Sequence, residues 1–227
     1  MPDKNGDINT ECITGTVAKA ADRYAMDVMG LRSLTLMETA SSKIAEYIIK
    51  HFPLSHKISA LCGVGNNGAD GVCASRILLR EGYQPHVYIV GNLEKASWEF
   101  LYQLCHFQQA GGAVTMYRPD TLPDDDILID AIFGIGLHRD ITGDYRLFIE
   151  EANRRSHGFV LAVDAPSGIN TDTGELMGCG IKADVTITFG RNKTGLVCGA
   201  GQKFAGRVLV EDIGIPDEAY IEAETHA

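Results

Sequence analysis

The sequence lacks the long apolar runs and the surplus of basic residues that would suggest a membrane or nucleic-acid protein. No stretch of the 227 residues approaches the roughly 20 consecutive apolar residues of a membrane-spanning helix. The start, MPDKNGDINTEC, has neither the basic nor the apolar segment of a secretion signal, so we expect a frayed start and a cytoplasmic protein. With 20 basic against 30 acidic residues, the net charge of -10 disfavours nucleic acid and anionic membranes. A small molecule is the expected partner.

The six cysteines lack the CxxC spacing of zinc and redox sites. They are scattered through a chain long enough to bury a core without disulfides, so we interpret them as reduced thiols. Internal repeats, low-complexity tracts and Pro/Ser-rich linkers are also missing. Residues 1–227 are therefore predicted to form one domain.

Hydrophobic patterning predicts two helices followed by alternating strands and helices. Apolar residues recur at helical spacing from Val17 to Val28 and from Leu36 to Ile49, with Gly30 between them. From Lys57 onward, short apolar runs such as ISALCG, PHVYIVG and DILIDAIFG alternate with amphipathic stretches. Strands that are apolar on both faces and separated by helices indicate a parallel sheet covered on both sides. We predict an α/β fold, a three-layer α/β/α Rossmann-like domain with a mostly parallel central sheet.

One predicted helix, near residues 98–109, carries a stripe that we interpret as its core-facing side. The stripe has the spacing of a helix face and gives no reason to infer a cofactor site. Its members are Trp98, Leu101, Leu104, Cys105 and Gln108.

The segment Gly63–Gly71, GVGNNGADG, leaves an apolar strand and enters an amphipathic helix. At such a turn glycine permits the sharp bend, and the free N–H groups of the helix N-terminus favour an anion such as phosphate. A Gly-rich turn without a ligand is the alternative. The amides of Asn66 and Asn67 favour the phosphate interpretation, because turning does not need them.

Two familiar nucleotide motifs are absent from this region. No Gly-Lys-Ser/Thr follows the loop, which removes the main lysine of a phosphoryl-transfer site. The next strand ends in Ile89-Val90-Gly91-Asn92, without the acidic residue that binds ribose in dehydrogenases. A nucleotide-dependent oxidoreductase, which would show hydride transfer, is therefore a weakened alternative.

Two further strands each deliver an acid to a loop. Asp130 ends the strand of DILIDAIFGIGL, and Asp164 precedes Ser167 in FVLAVDAPSG. Either acid alone could be a turn or cap residue. Because ligands collect at the carboxyl ends of strands in a doubly wound sheet, we expect these loops to meet the Asn67 loop around one crevice. Oxygens of Asn67, Asp130 and Ser167 would suit a hard cation of low charge, and Asp164 would be free to transfer protons.

Two other polar residues are less decisive. Lys193, in FGRNKTG after another strand, could offer a cation or an acid to the crevice, or be a solvated surface lysine. The seven histidines show no pairing at ligand spacing, and His138 is interpreted as incidental or substrate-adjacent.

Taken in order along nearly the whole chain, these motifs resemble those of the NAD(P)H-hydrate epimerases, the family of the YjeF N-terminal domain. The resemblance begins at Ala21-Asp22 and Leu36-Met37-Glu38-x-Ala40, continues through GxGNNGADG, DAIFGIGL, VDAPSG and FGRNKTGL, and closes with VEDIGIP. Members interconvert the R and S epimers of hydrated NADH or NADPH (NADHX, NADPHX), so that a dehydratase specific for the S form can restore the cofactor. The resemblance implies a Rossmann-like fold, often a homodimer, one bound K+ per subunit and, since no fused dehydratase domain is present, a separate dehydratase.

The resemblance also implies roles for individual residues. Asn67, Asp130 and Ser167 match the potassium ligands, and Asp164 matches the catalytic residue. The implied substrate site comprises Asn66, Asn67, Gly68, Ala69, Asp70, Gly134, Ile135, Gly136, Leu137, His138, Arg139, Asp140 and Asp164, with Lys193 as a further candidate.

The sequence departs from the family pattern at a few positions. Ala69 stands where a glycine is usual, which would add a methyl group beside the phosphate loop. Thr39 and Ser41 replace an asparagine and a glycine, and Arg139 and Asp140 add charge to the second loop. A non-catalytic nucleotide-binding or dimerising scaffold of the same fold is the main alternative function. The intact set of polar residues argues against it.

Overall fold

Seven parallel strands form one sheet in the computed structural model, which describes residues 12–226. The strands are β1 Ile58–Cys62, β2 Pro85–Ile89, β3 Ala113–Met116, β4 Asp125–Ala131, β5 His157–Val163, β6 Val185–Phe189 and β7 Arg207–Glu211. Their order in the sheet is β3-β2-β1-β4-β5-β6-β7. This order places β1, β4 and β5 side by side, with Leu61 paired to Asp130 and Asp130 to Ala162. The predicted parallel sheet is confirmed. The frayed start that we expect falls mostly on residues 1–11, outside the described residues.

Helices cover both faces of the sheet, as predicted. They are α1 Gly15–Asp27, α2 Ser33–His51, α3 Asn66–Arg80, α4 Trp98–Gln109, α5 Gly143–Arg154, α6 Gly201–Phe204 and α7 Asp217–Thr225, with 3₁₀ turns at Leu93–Lys95 and Thr194–Leu196. None of the helices in the described part is long and apolar enough to cross a membrane.

The two faces of the sheet have separate cores because successive side chains of a strand point in opposite directions. Ala60 and Cys62 of β1 belong to the core formed with α2, α3 and α4. Leu61, between them, packs in the core that contains Phe148 and Ile149 of α5. The helices α1 and α7 pack against each other in a third cluster. The result is the predicted three-layer α/β/α architecture.

The prediction for the buried side of α4 is wrong in most of its members. Leu104 is buried, but Trp98 and Leu101 are 57% and 44% exposed, and Cys105 and Gln108 are exposed as well. The buried residues of α4 are Glu99, Phe100, Gln103, Leu104 and Phe107, so only Leu104 is shared with the predicted stripe. Both stripes have helical spacing, and the one with two phenylalanines buries more apolar surface.

Candidate active site

A cavity of about 560 Å³ lies at the carboxyl ends of the central strands. Its walls come from α1, the start of α2, the β1–α3 loop, the loop after β4 and the segments that follow β5 and β6. The predicted crevice is therefore formed by loops that are distant in sequence, at the edge of the sheet where α/β proteins bind ligands.

The N-terminus of α3 opens into this cavity. Gly65 occupies the N-cap position with no side-chain cap, and Asn66 and Asn67 form the first turn. All three line the cavity, so the free N–H groups of the helix are available to an anion. A Cβ atom on Gly68 would lie 1.8 Å from the carbonyl oxygen of Gly63, which makes glycine necessary for the close approach of helix to strand.

Asp130 and Ser167 form a buried pair that joins the end of β4 to the segment after β5. Both residues have no exposed surface. The Ser167 amide N–H donates to Asp130 Oδ2 at 2.7 Å, and its hydroxyl donates to Oδ1 at 2.5 Å. Burial raises the pKa of Asp130 to about 6, although the hydrogen bonds from Ser167 oppose the rise. No cationic side chain among the described residues compensates this carboxylate.

Asn67 lies close to Asp164, across from Gly134. A Cβ on Gly134 would come within 2.8 Å of Asn67 Oδ1 and 3.3 Å of Asp164 Oδ2. The glycine therefore allows the loop to pass beside both side chains. Asn67 Nδ2 is buried and has no hydrogen-bond partner among the described residues, which leaves the amide free to bind something other than the protein.

Asp164 sits in a tight turn at the end of β5. Its φ is +63°, and the N–H of Ala165 donates to the carbonyl of Val163 at 2.7 Å, which closes a three-residue turn around Asp164. Non-glycine residues rarely adopt this backbone conformation, and it costs on the order of 1–3 kcal/mol. The turn directs the carboxyl group into the cavity.

Lys193 is a buried partner of Asp164. It is 2% exposed, and its Nζ donates to Asp164 Oδ1 at 2.8 Å, to Thr188 Oγ1 at 2.9 Å and to the Phe189 carbonyl at 2.8 Å. All three ammonium protons are thus used. Thr188 Oγ1 also donates to Asp164 Oδ1 at 3.0 Å. Lys193 is therefore not a solvated surface lysine, and only Oδ2 of Asp164 remains unbonded within the described chain.

Two more carboxyl groups reach the cavity. Asp70, on α3, has a pKa well above its ordinary value, mainly because it is buried and also because Asp164, Asp22 and Glu99 are negatively charged. Burial raises the pKa of Asp22, on α1, to about 6, while the charge of Lys193 opposes the rise and that of Asp164 adds to it. The cavity is thus lined by the carboxyl groups of Asp22, Asp70 and Asp164, by the exposed carboxyl group of Asp27 and by the buried ammonium group of Lys193.

Comparison with known proteins places the chain in a family. The family model for YjeF-related protein N-terminus matches residues 33–195. The NAD(P)H-hydrate epimerase of Limosilactobacillus fermentum is 44% identical over 204 residues, which cover 89% of this chain and 96% of that protein. The NAD(P)H-hydrate epimerase of Oenococcus oeni is 36% identical, over 92% of this chain and 99% of that protein. The chain belongs to the YjeF-related family of NAD(P)H-hydrate epimerases.

A solved structure shows the same fold. The crystal structure of the yeast protein YNL200c superposes with a TM-score of 0.76 at 20% identity, and the match covers 94% of this chain and 93% of that one. The Rossmann-like architecture of this epimerase-family chain is therefore shared across low sequence identity.

The structure brings most of the residues implied by the family motifs to the cavity, but not all of them. Leu137 is 6% exposed and packs in the core on the α5 side, and His138, Arg139 and Asp140 are exposed outside the cavity lining. Gly68 lies beneath the loop, against β1. The residues that do line the cavity are Asn66, Asn67, Asp70, Gly134, Ile135, Gly136, Asp164 and Lys193.

The departures from the family pattern have structural explanations. The methyl group of Ala69 is fully buried in the core under α3, so it points away from the cavity rather than beside a bound phosphate. Ser41 is buried, and its hydroxyl donates to the carbonyl of Asp70 at 3.1 Å, which ties α2 to α3. Thr39 is partly buried, and its hydroxyl donates to the Thr35 carbonyl within the same helix.

Sequence reasoning missed Asp22 as a site residue. In the sequence it stands only as part of the family motif, although it lies on the same face of α1 as Ala18 and Ala25, which are buried. An acid within a stripe of small apolar residues was the available signal.

Proposed function

We infer that this protein is an NAD(P)H-hydrate epimerase, an isomerase that interconverts the R and S epimers of hydrated NADH and NADPH. The family membership supports the activity. The observation that carries it is the Asp164–Lys193 pair, which sits in a cavity beside an uncapped helix N-terminus. The helix end suits the diphosphate of a dinucleotide, and the carboxyl group suits proton transfer at its ring.

The proposed role of Asp164 is to exchange a proton with the hydrated ring. Lys193 and Thr188 fix Oδ1, so the free Oδ2 faces the cavity with a defined orientation. Epimerisation inverts the configuration of C6, a carbon of the hydrated nicotinamide ring. This inversion requires a bond of C6 to break and to form again on the other face of the ring. A positioned acid–base group accelerates such a step by about 10²- to 10⁴-fold.

We also propose that Asn67, Asp130 and Ser167 hold one potassium ion per subunit. The residues fit such an ion, since Asp130 is a buried carboxylate without a cationic partner and each of the three side chains offers an oxygen atom as a ligand. Among the described residues, no group of three or more His, Cys, Asp or Glu side chains could hold a metal ion, whereas this site combines one carboxylate with an amide and a hydroxyl. The ion would supply positive charge to Asp130 and hold the loop of Asn67 beside Asp164.

The activity is tested by proton NMR of purified R and S hydrates mixed with the protein. The epimerase proposal predicts that interconversion is faster than in buffer. A rate equal to that of buffer would overturn it, and saturable binding without turnover would support the scaffold alternative.

We further propose a homodimer that works with a separate dehydratase in the cytoplasm. The family resemblance supports the first two features. The six unpaired thiols support a reducing compartment. Light scattering of the purified protein tests the dimer. Addition of an S-specific dehydratase to mixed hydrates tests the pathway, because full recovery of NADH at an accelerated rate should require this protein.

A further inference from the structure

We propose that Asp22 is a second catalytic residue, the proton donor that works together with Asp164 during epimerisation. This inference rests on the proposed function and adds a residue from α1, outside the segment that the family model matches.

The position of Asp22 supports this role. It lies on the buried face of α1, one turn after Ala18 and one turn before Ala25, and its side chain lines the same cavity as Asp164 and Lys193. Packing of α1 against α7 holds the helix in place. Lys19, Arg23 and Asp27 also line the cavity, but they are exposed, whereas Asp22 is partly buried.

The groups that face Asp22 distinguish it from Asp164. Lys193 and Asp164 act on it from the segments after β6 and β5, and its own charge acts on Asp70 of α3 and Tyr220 of α7. Among the described residues, no hydrogen bond or ion pair engages the Asp22 carboxyl group, while Lys193 holds Asp164 directly. Burial brings the pKa of Asp22 to about 6, so half of the molecules still carry the proton at about that pH. Two carboxyl groups in such different environments are suited to opposite roles.

The chemistry at C6 needs both roles. If the ring opens, the C6–N bond breaks with its electron pair on nitrogen, Asp22 protonates the nitrogen, Asp164 takes the hydroxyl proton, and a C=O bond forms. If water leaves, the C6–O bond breaks with its pair on oxygen, Asp22 protonates that oxygen, and the nitrogen lone pair forms a C=N bond. The incoming water then adds to the opposite face of the C=N bond and gives a proton to Asp164, and proton exchange with solvent returns both carboxyl groups to their starting states. Closing the ring on the opposite face of the C=O group reverses the first set of transfers, and both routes give the other epimer.

The test compares Asp22→Asn, Asp22→Glu and Asp144→Asn in the NMR assay, each corrected for the buffer rate. Asp144 is exposed on α5 and does not line the cavity, so its variant serves as the matched control. We expect Asp22→Asn to lower kcat at least about 100-fold, with KM changed less than about threefold, and Asp22→Glu to restore part of the rate. Asp144→Asn should match the unmodified protein.

The pH profile provides a readout that a structural role would not change. For the unmodified protein, kcat/KM should fall as pH rises through about 6, because the donor loses its proton, and Asp22→Asn should lack this limb. An unchanged kcat and limb, or a rise in KM alone, would overturn the role of Asp22. If Asp22→Asn does not fold, the pH profile of Asp22→Glu provides the test. A shift of the pH at which kcat/KM falls would support the proposal, and an unchanged pH would contradict it. An unmodified protein no faster than buffer would instead reject the epimerase function itself.

Discussion

Asp164 and Lys193 combine backbone strain, burial and charge at one point of the site. Asp164 has a φ of +63°, and the Lys193 ammonium group is held by three acceptors in an almost completely buried position. Removal of one partner from a buried ion pair leaves an uncompensated charge and is costly. Other parts of the fold therefore offset the cost of holding the Asp164 carboxyl group in a fixed orientation. Such strain is expected at a functional residue.

Asp164→Asn is expected to lower the epimerisation rate at least about 100-fold while the protein stays folded. Asparagine has the same shape and keeps an oxygen that can accept from Lys193 and Thr188, but it cannot accept the substrate proton. The NMR assay measures the rate, and circular dichroism checks the fold. Activity within threefold of the unmodified protein would show that Asp164 does not transfer the proton.

Asp22→Asn is expected to stabilise the protein at pH 8. The folded-state pKa of Asp22 is raised to about 6 from 3.8, so folding takes up a proton and stability falls as pH rises from about 4 to 6. The lower free energy of unfolding persists above pH 6. A neutral asparagine at position 22 does not ionise and therefore avoids this destabilisation. We expect a gain on the order of 1–2 kcal/mol at pH 8 that disappears below about pH 4.

Urea unfolding at pH 4, 6 and 8 measures this gain. Asp144→Asn is the control, because Asp144 is exposed. A variant that is less stable than the unmodified protein at pH 8 would contradict the prediction. The variant that loses activity is thus expected to be the more stable one, which separates its catalytic defect from unfolding.

At the scale of elements, the start of α3 depends on close contact with its neighbouring strands. A Cβ on Gly68 would meet the Gly63 carbonyl, and one on Gly71 would lie 2.5 Å from Ala131 Cβ. These glycines let α3 lie directly on β1 and β4. As a result, the uncapped N-terminus of the helix is held at the edge of the cavity.

Gly68→Ala is expected to destabilise the protein by several kcal/mol, because the new methyl group would collide with backbone that cannot move aside. Gly65→Ala is the matched control from the same loop. Its φ is −97°, and nothing lies within 4 Å of the added Cβ, so its melting temperature should change little. Equal melting temperatures for the two variants would show that the contact is not important.

Helix α4 has two sets of apolar residues with helical spacing, and its packing against neighbouring elements determines which set is buried. Trp98 and Leu101 have the spacing of a buried face, yet the helix turns Phe100 and Phe107 toward α3. Local periodicity identified the helix and its ends correctly. The choice of face depends on which side chains fill the groove beside α3, and the sequence of α4 alone does not contain that information.

At the scale of the whole molecule, the site exists because three loops meet. Asn67 comes from the start of α3, Asp130 from the end of β4 and Ser167 from the segment after β5. Hydrogen bonds already join the last two. An ion bound by all three residues would stabilise only the folded arrangement.

Potassium chloride is therefore expected to raise the melting temperature above that in choline chloride of equal ionic strength. Each kcal/mol of binding free energy should add about 2–4 °C for a chain of this size. Thermal denaturation measures the shift, with Asp144→Asn as the control that keeps it. Asp130→Asn should reduce the response to potassium. Equal melting temperatures in the two salts would contradict the potassium site.

The amino-acid sequence by itself determined the alternation of helices and strands, the parallel sheet and the placing of Asn67, Asp130 and Asp164 at or just after the ends of strands. These features follow from periodicity and from glycine-rich turns, which are local properties of the chain. Parallel strands end at a common edge, so the proximity of Asp130 and Ser167 follows from the sequence pattern, whereas their direct hydrogen bonds are seen only in the structure.

Only the tertiary structure decided which charged groups are buried together. Lys193 could have been a surface residue until β5 and β6 placed Thr188 and Asp164 around its ammonium group. Asp22 lines the cavity because α1 packs against α7, which orients this side of α1 toward the cavity. Burial and electrostatic interaction depend on groups brought together from distant parts of the chain, and spacing along the sequence does not encode those distances.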